Sequence, residues 1–564
     1  MSSALMHPGL LLILGSLPLL RLKGVVRNAV ALLLPLGALW LLWQPEEGAF
    51  WPARFAGYEL NLLVIDPLSR LFATVFILMV FGGALFALNQ PSRLELPAAF
   101  VYAGSAIGVV LAGDLLTLFV FWELMTIASV LVIWSEGTLR AYGASLRYLI
   151  VHLLGGVLLL IGIGGHVLET GSTAIGVMAP DTLAHWLILA GFLVNAGAPP
   201  FSAWLPDAYP EASWSGTVFL SAFTTKTAVY VLLRSFPGAE VLIPVGLFMI
   251  FYGIIYALLE NDMRRILAYS IVNQVGFMVT GIGIGTEMSL NGTAAHAFTH
   301  ILYKALLLMS AGSVLFVTGK RKCTDLGGLF QTMPLTAACG IVGALSISAF
   351  PLTSGFVSKS MISQAAADEH LRVVWLLLAA ASAGVFLHAG IKFPWFVFFQ
   401  KDSGQRPPEP PLNMRLAMLL FSALCIGLGV FYQPLYRMLP YPTEYVPYTG
   451  YHVVAQLQLL LFSGLAFFVM LGWLRRTPTI ILDFDWFYRR LAPALARRAE
   501  HKIQVVQARA TSVLAAGLRG VAIPFIDLHR PHAFLGRTWS TSRMALGVMM
   551  ILLAYLLSHY ILGA

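Results

Sequence analysis

Residues 115–134 read LLTLFVFWELMTIASVLVIW, a run long enough to cross a bilayer, with one carboxylate, Glu123, near its middle. A charged side chain at the bilayer centre costs roughly 2.5–3.5 kcal/mol on insertion scales, so Glu123 is expected to have a task there. Working outward, further apolar runs lie near 9–20, 28–44, 68–89, 97–112, 146–167, 183–204, 217–235, 240–259, 266–284, 292–316, 335–365, 372–399, 413–432, 453–474 and 545–562. That makes about sixteen, with the first and fourth short. Composition agrees: of 564 residues, 58% are hydrophobic and 11% charged, with mean hydropathy +0.81. Water cannot solvate such a surface, which excludes a soluble enzyme, a disordered chain and a nucleic-acid module. An all-α polytopic membrane protein of about 14–16 transmembrane helices is expected.

The net charge of +9 is almost all in one place: residues 475–543 hold twelve Lys/Arg against four Asp/Glu. The rest of the chain is nearly neutral, so the basic balance does not point to nucleic acid. Loops after odd-numbered runs carry fourteen Lys/Arg and the opposite ends five. By the positive-inside rule this puts the odd loops and the 475–544 segment on the cytoplasmic side of the membrane, with the N-terminus outside. The apolar start lacks a basic n-region and an A-x-A site, and reads as a retained span. Cys323, Cys339 and Cys425 are too few and too scattered for a disulfide framework or a metal, haem or iron–sulfur site. No cofactor is expected.

Two runs carry prolines where a helix cannot continue: Pro199 and Pro200 in the seventh, Pro351 with Gly355 in the twelfth. Helices are expected to break near 195–202 and 351–356. Breaks five runs apart suggest an internal repeat with ion or proton sites at the interruptions, although a proline-kinked helix that merely packs is the simpler reading. The expected organisation is 1–96 N-terminal helices, 97–259 and 260–400 two similar halves, and 401–474 C-terminal helices. A basic amphipathic segment over 475–544 and a last span over 545–564 complete it. Within that segment, residues 483–520 set apolar residues against Arg pairs at helical spacing, as for a helix lying on the membrane or on neighbouring protein. A solvated basic linker is the alternative.

Lys226, Lys304, Lys359 and Lys392 also lie inside apolar runs. Burial penalises the charged form of an amine or a carboxyl, which eases proton exchange near neutral pH. His296, His300 and Lys304 follow in steps of four, one stripe of a helix about 12 Å long. Imidazoles titrate near neutrality and carry a proton on either of two nitrogens. Proton relay is the leading reading, with structural hydrogen bonding and an i,i+4 metal site as alternatives; the glutamate of an HExxH motif is missing. His152, His388 and Lys392 are accessory candidates, equally readable as structural.

Seven motifs in order carry a family likeness: IDPLSRLF (65–72), FVFWELM (119–125), PPFSAWLPDAYPEA (199–212), FTTKTAVYVLLR (223–234), DMRRILAYSIVNQVGFM (262–278), HAFTHILYKALLLMSAGSV (296–314) and FPLTSGFVSK (350–359). Over most of residues 60–400 the chain resembles the antiporter-like subunits shared by Mrp-type cation/proton antiporters and respiratory complex I. The resemblance implies a fourteen-helix bundle with two inverted five-helix repeats whose seventh and twelfth helices are broken. It implies proton-pathway roles for Glu123, Lys226, His296, His300, Lys304 and Lys359. Within the family, FTTKTAVYVLLR and DFDWFYRR look closest to the D-type antiporter subunit, whereas sixteen spans with an amphipathic helix before the last look like the distal complex I subunit. The family's lysine that pairs with the glutamate is replaced here by Asn195, and the histidine of its PFHxWLPDA motif by Ser202. Either Lys226 takes over the pairing with Glu123, or the first half works differently or not at all.

The expected function is proton translocation within a multisubunit Na⁺/H⁺ antiporter, with other membrane subunits, the bilayer, protons and Na⁺ as partners and no catalytic site of its own. The rivals are a proton-pumping subunit of a redox-driven assembly and a non-antiporting member coupled to a process such as inorganic-carbon uptake.

Overall fold

The computed structural model describes residues 6–473 and 483–561. Its contacts form two units, Met1–Asp485 and Trp486–Ala564; the first residues of the expected 475–544 segment lie outside the described residues. In the first unit polar side chains stand at helix starts, where free N–H groups need acceptors. His7 Nδ1 accepts from Gly9 N at 3.0 Å and opens α1 (Pro8–Leu19), and α2 (Gly24–Trp43) follows. Next comes an antiparallel hairpin of β1 (Gly48–Phe55) and β2 (Tyr58–Ile65), which the apolar runs do not announce. Both turn residues, Ala56 and Gly57, have positive φ (50° and 87°), matching the strand twist of a two-residue hairpin. A reciprocal capping box of Asp66 and Ser69 starts α3 (Pro67–Phe86). After α4 (Glu95–Leu111), Asp114 caps α5 (Leu115–Trp134) through Thr117 N and also accepts from Asn61 N in β2 at 3.0 Å, stitching the hairpin to that helix end.

Helices α6 (Leu139–Thr170) and α7 (Leu183–Ala196) both end on left-handed glycines, Gly171 and Gly197. Pro199 and Pro200 follow before a short α8 (Trp204–Ala208), so the first expected break is present. The run expected as one span over 217–235 is divided into α9 (Gly216–Leu220) and α10 (Thr224–Ser235), an interruption no proline signals. Beyond α11 (Leu242–Leu259) and α12 (Met263–Ile284) lies α13 (Glu287–Thr318), buried on all sides from Ser289 to Val314. Its polar residues therefore face protein rather than lipid. The second expected break separates α14 (Pro334–Ile347) from α15 (Ser354–Asp368), with Ala349 and Leu352 at positive φ between them. Helix α16 (Arg372–Val385) continues into π-helical turns at Phe386–Lys392 and Trp395–Phe399. The unit closes with α17 (Leu412–Val430), α18 (Gln433–Tyr436) and α19 (Gly450–Val469). Near its end Asp483 accepts from Tyr252 and Tyr269 hydroxyls, each at 2.6 Å, which ties the chain to α11 and α12.

The second unit holds α20 (Ala492–Leu528) and α21 (Thr541–Ile561), on neither of which is any residue buried. Among the described residues thirteen helices are long and apolar enough to cross a membrane, the stretch Phe487–Leu528 included, and four shorter apolar helices join them. The chain is a multi-pass membrane protein.

Candidate functional site

Two buried lysines sit at the helix interruptions. Lys226 Nζ donates to Ser221 O, in the gap before α10, at 2.7 Å and to Thr225 Oγ1 at 3.0 Å. Lys359, on α15, reaches back across the second break to Ile347 O, the last carbonyl of α14, at 2.7 Å, and stands 4.9 Å from the Phe277 ring centroid. Carbonyls left free at a helix end carry partial negative charge, so each break offers an amine a seat that hydrocarbon cannot.

Between these lysines, α13 presents His296, His300 and Lys304. His296 Nε2 lies 3.2 Å from Gln274 Oε1 and its Nδ1 3.0 Å from Ser358 Oγ. The Gln274 amide nitrogen already donates to Asn273 Oδ1, so its Oε1 must accept, and the network assigns the His296 proton to Nε2. Tyr303 OH donates to the same Oε1 at 3.1 Å, and Lys304 Nζ donates to Ser270 Oγ at 2.8 Å. His300 lies between them, its centroid 6.2 Å from that of His296, with neither ring nitrogen hydrogen-bonded among the described residues. These five buried groups make up one row, with His296, His300 and Lys304 on α13 and Lys226 and Lys359 at the two interruptions.

Glu123 stands apart, half-buried on α5, with its carboxylate packed against Gly156 of α6. Among the described residues its Oε1 has no hydrogen-bond partner, and no ion pair links it to Lys226. Of the two alternatives for the missing lysine, pairing by Lys226 is thus not what this structure contains: Lys226 is occupied at the Ser221 interruption. Asn195 is fully buried on α7, its Oδ1 toward Gly155, and neither of its amide atoms has a partner among the described residues. Glu123 and Asn195 therefore lie against consecutive residues of one helix. Ser202 is likewise buried, with its hydroxyl unpartnered among the described residues.

The accessory residues take structural contacts. His152 Nδ1 bonds Tyr148 O at 2.9 Å and its ring packs edge-on to Trp204. His388 Nδ1 bonds Gly384 O at 2.8 Å at the start of the π-helical turns. Lys392 Nζ donates to the carbonyls of Ala257, Leu258 and Glu260 at 3.1, 2.6 and 2.5 Å, closing the C-terminal end of α11. Among the described residues no three His, Cys, Asp or Glu side chains are grouped to hold a metal ion.

Residues 112–386 match the family model described as NADH:quinone oxidoreductase/Mrp antiporter, transmembrane. The NADH-quinone oxidoreductase subunit N of Desulforudis audaxviator is 30% identical over 449 residues, covering 72% of this chain and 89% of that protein. The chain belongs to the NADH:quinone oxidoreductase/Mrp antiporter family. Another relative, the D-type subunit of the Na(+)/H(+) antiporter of Alkalihalophilus pseudofirmus, is 29% identical over 367 residues, 60% of this chain and 73% of its own. In fold, a chain of the membrane-bound sulfane sulfur reductase, an archaeal respiratory membrane complex, aligns with TM-score 0.71 at 24% identity, covering 97% of this chain and 99% of that one.

The family-matched region contains every proton-pathway candidate from Glu123 to Lys359, while His388 and Lys392 fall beyond it. Further polar residues, which spacing did not single out, surround these candidates. Tyr102 OH lies 2.6 Å and Tyr148 OH 3.3 Å from Thr224 Oγ1, and Ser129 Oγ donates to Tyr148 OH at 3.0 Å. Thr224 precedes Thr225, whose hydroxyl accepts from Lys226, so this hydroxyl cluster and the first lysine are set on the same turn of α10. Gln274, Ser358 and Ser270 anchor the histidine stripe in the same way. Their signal in the sequence is plain polarity inside apolar runs, weak for any one hydroxyl because a serine or threonine can satisfy itself on its own helix.

Proposed function

We propose that this chain is the proton-translocating subunit of a multisubunit Na⁺/H⁺ antiporter in a bacterial inner membrane, working with other membrane subunits. The observation that carries the reading is the buried row Lys226, His300, His296, Lys304 and Lys359, held between two helix interruptions. Glu123 takes up a proton in the first half (97–259), and Lys226 receives it through the hydroxyls around Thr224. His300, free of hydrogen bonds among the described residues, exchanges it along the stripe between His296 and Lys304, and Lys359 passes it on in the second half (260–400). The two halves act as inverted repeats, which is consistent with a proline-bearing break in each. The membrane potential acts on such charges with about 2.3 kcal/mol per elementary charge per 100 mV, enough to drive exchange of a cation. The arginine-rich loops and the 475–544 segment face the cytoplasm, with the N-terminus outside and α20 along the inner surface. The relatives' names, each a subunit, support the need for partners.

The test is antiport in membrane vesicles carrying the whole assembly. Lys304→Ala is expected to lower transport by about a hundredfold, the scale of losing one positioned proton-transfer group. Wild-type transport in that variant would end the proposal. A second reading, proton pumping in a redox-driven assembly, is favoured by the likeness to subunit N across nearly all of that relative's length. Co-purification with quinone-reactive subunits would select it.

A further inference from the structure

A cavity of about 390 Å³ lies between α15, α16 and α19, outside the row just described but sharing one member with it, Lys359. Ser360, Ser363 and Gln364 line it along α15, and His452 lines it from α19. Its wall is largely apolar, but Lys359, Ser360, Ser363, Gln364, Gln456 and His452 offer polar groups to a hydrogen-bonded file of waters, each of which needs about 30 Å³ in the liquid. Both α15's last turn and α19's first turn adjoin loops that follow even-numbered runs, the face opposite the arginine-rich loops.

The surroundings of His452 are specific. Its Nε2 is 3.1 Å from Gln364 Oε1, and the Gln364 amide nitrogen donates to Asp368 Oδ1 at 2.7 Å. That donation fixes the amide, so Oε1 must accept and Nε2 must carry a hydrogen. The other nitrogen, Nδ1, lies 3.2 Å from Pro447 O, which can only accept, and 3.5 Å from Tyr445 OH, which can donate. The ring is thus served in both states: as imidazolium it donates from Nδ1 to Pro447 O, and as neutral imidazole it accepts there from Tyr445.

We infer that His452 is the outer terminus of the proton path, the group through which Lys359 exchanges protons with the face away from the arginine-rich loops. This rests on the function proposed above. A proton leaving the Lys359 ammonium crosses the cavity and reaches Nδ1 by way of Tyr445 OH, which passes its own hydrogen to the neutral His452 ring and takes up the arriving one. The lysine is left as a neutral amine, and release of that proton to water restores the ring.

In vesicles carrying the whole assembly, His452→Gln is expected to lose transport by about a hundredfold, and added imidazole is expected to restore it, which it would not do for a purely structural residue. Ser363→Cys supplies a reading independent of transport: a membrane-impermeant maleimide should label it only from the face opposite the arginine-rich loops, the native cysteines being buried. If Lys304→Ala abolishes transport while His452→Gln leaves it intact, the inference fails and the proton path stands. Loss in His452→Gln that imidazole cannot restore, or a Ser363→Cys variant that resists labelling from that face, also overturns it. Intact transport in Lys304→Ala instead removes the path on which the inference rests.

Discussion

A methyl group at position 156 would occupy the volume that Glu123 Oε1 fills. Gly156→Ala is therefore expected to push the carboxylate aside and reduce transport, measured per assembled complex. Gly164→Ala, on the same helix but with open space around it, should leave transport unchanged and gain about 0.5–1 kcal/mol of stability. Asn195 offers the complementary test. Asn195→Lys supplies the charged neighbour that Glu123 lacks and is expected to raise transport; a fall would mean that the first half is tuned around the amide. Residues such as Glu123, His300 and Lys304 were legible in the sequence because a titratable group inside an apolar run is costly and so stands out. The relation between Glu123 and Lys226 was not, since a break at Ser221 redirects the lysine and no residue type announces that break.

Among elements, the two proline breaks were readable because proline lacks an N–H and clashes with the preceding turn. The hairpin was not. Residues 48–65 do not read as a span because Pro52, Arg54, Glu59 and Asn61 interrupt them, and the Ala56–Gly57 turn lacks the Asn-Gly or Asp-Gly pair that marks a two-residue hairpin most strongly. The π-helical turns at Phe386–Lys392 were equally hidden, and they are what brings Lys392 to the end of α11. Lys392→Met leaves three terminal carbonyls of α11 without that donor. Thermal unfolding of the detergent-extracted chain should report a loss of about 1.5–3 kcal/mol, as for hydrogen bonds to a charged group. Transport per folded complex should change little, because Lys392 makes its contacts outside the row.

For the whole molecule, the number and order of apolar runs carried the membrane architecture, while the separation at Asp485 and Trp486 came from contacts that composition does not encode. Met1–Asp485 is a compact unit by itself, so a chain ending after Asp485 is expected to fold and give its own cooperative melt in detergent, while retaining fewer partner subunits on extraction. Asp483 must stay: Asp483→Leu would strand two tyrosine hydroxyls at a cost of about 1–3 kcal/mol each, visible as earlier melting. The moorings of Lys226 and Lys359 bear on how such a molecule can work at speed. A backbone oxygen accepts a hydrogen from an ammonium and from an uncharged amine alike. Electric charge can therefore come and go at both extremities of the row while the heavy atoms hold their positions, and no side chain has to swing for the next ion to be handled.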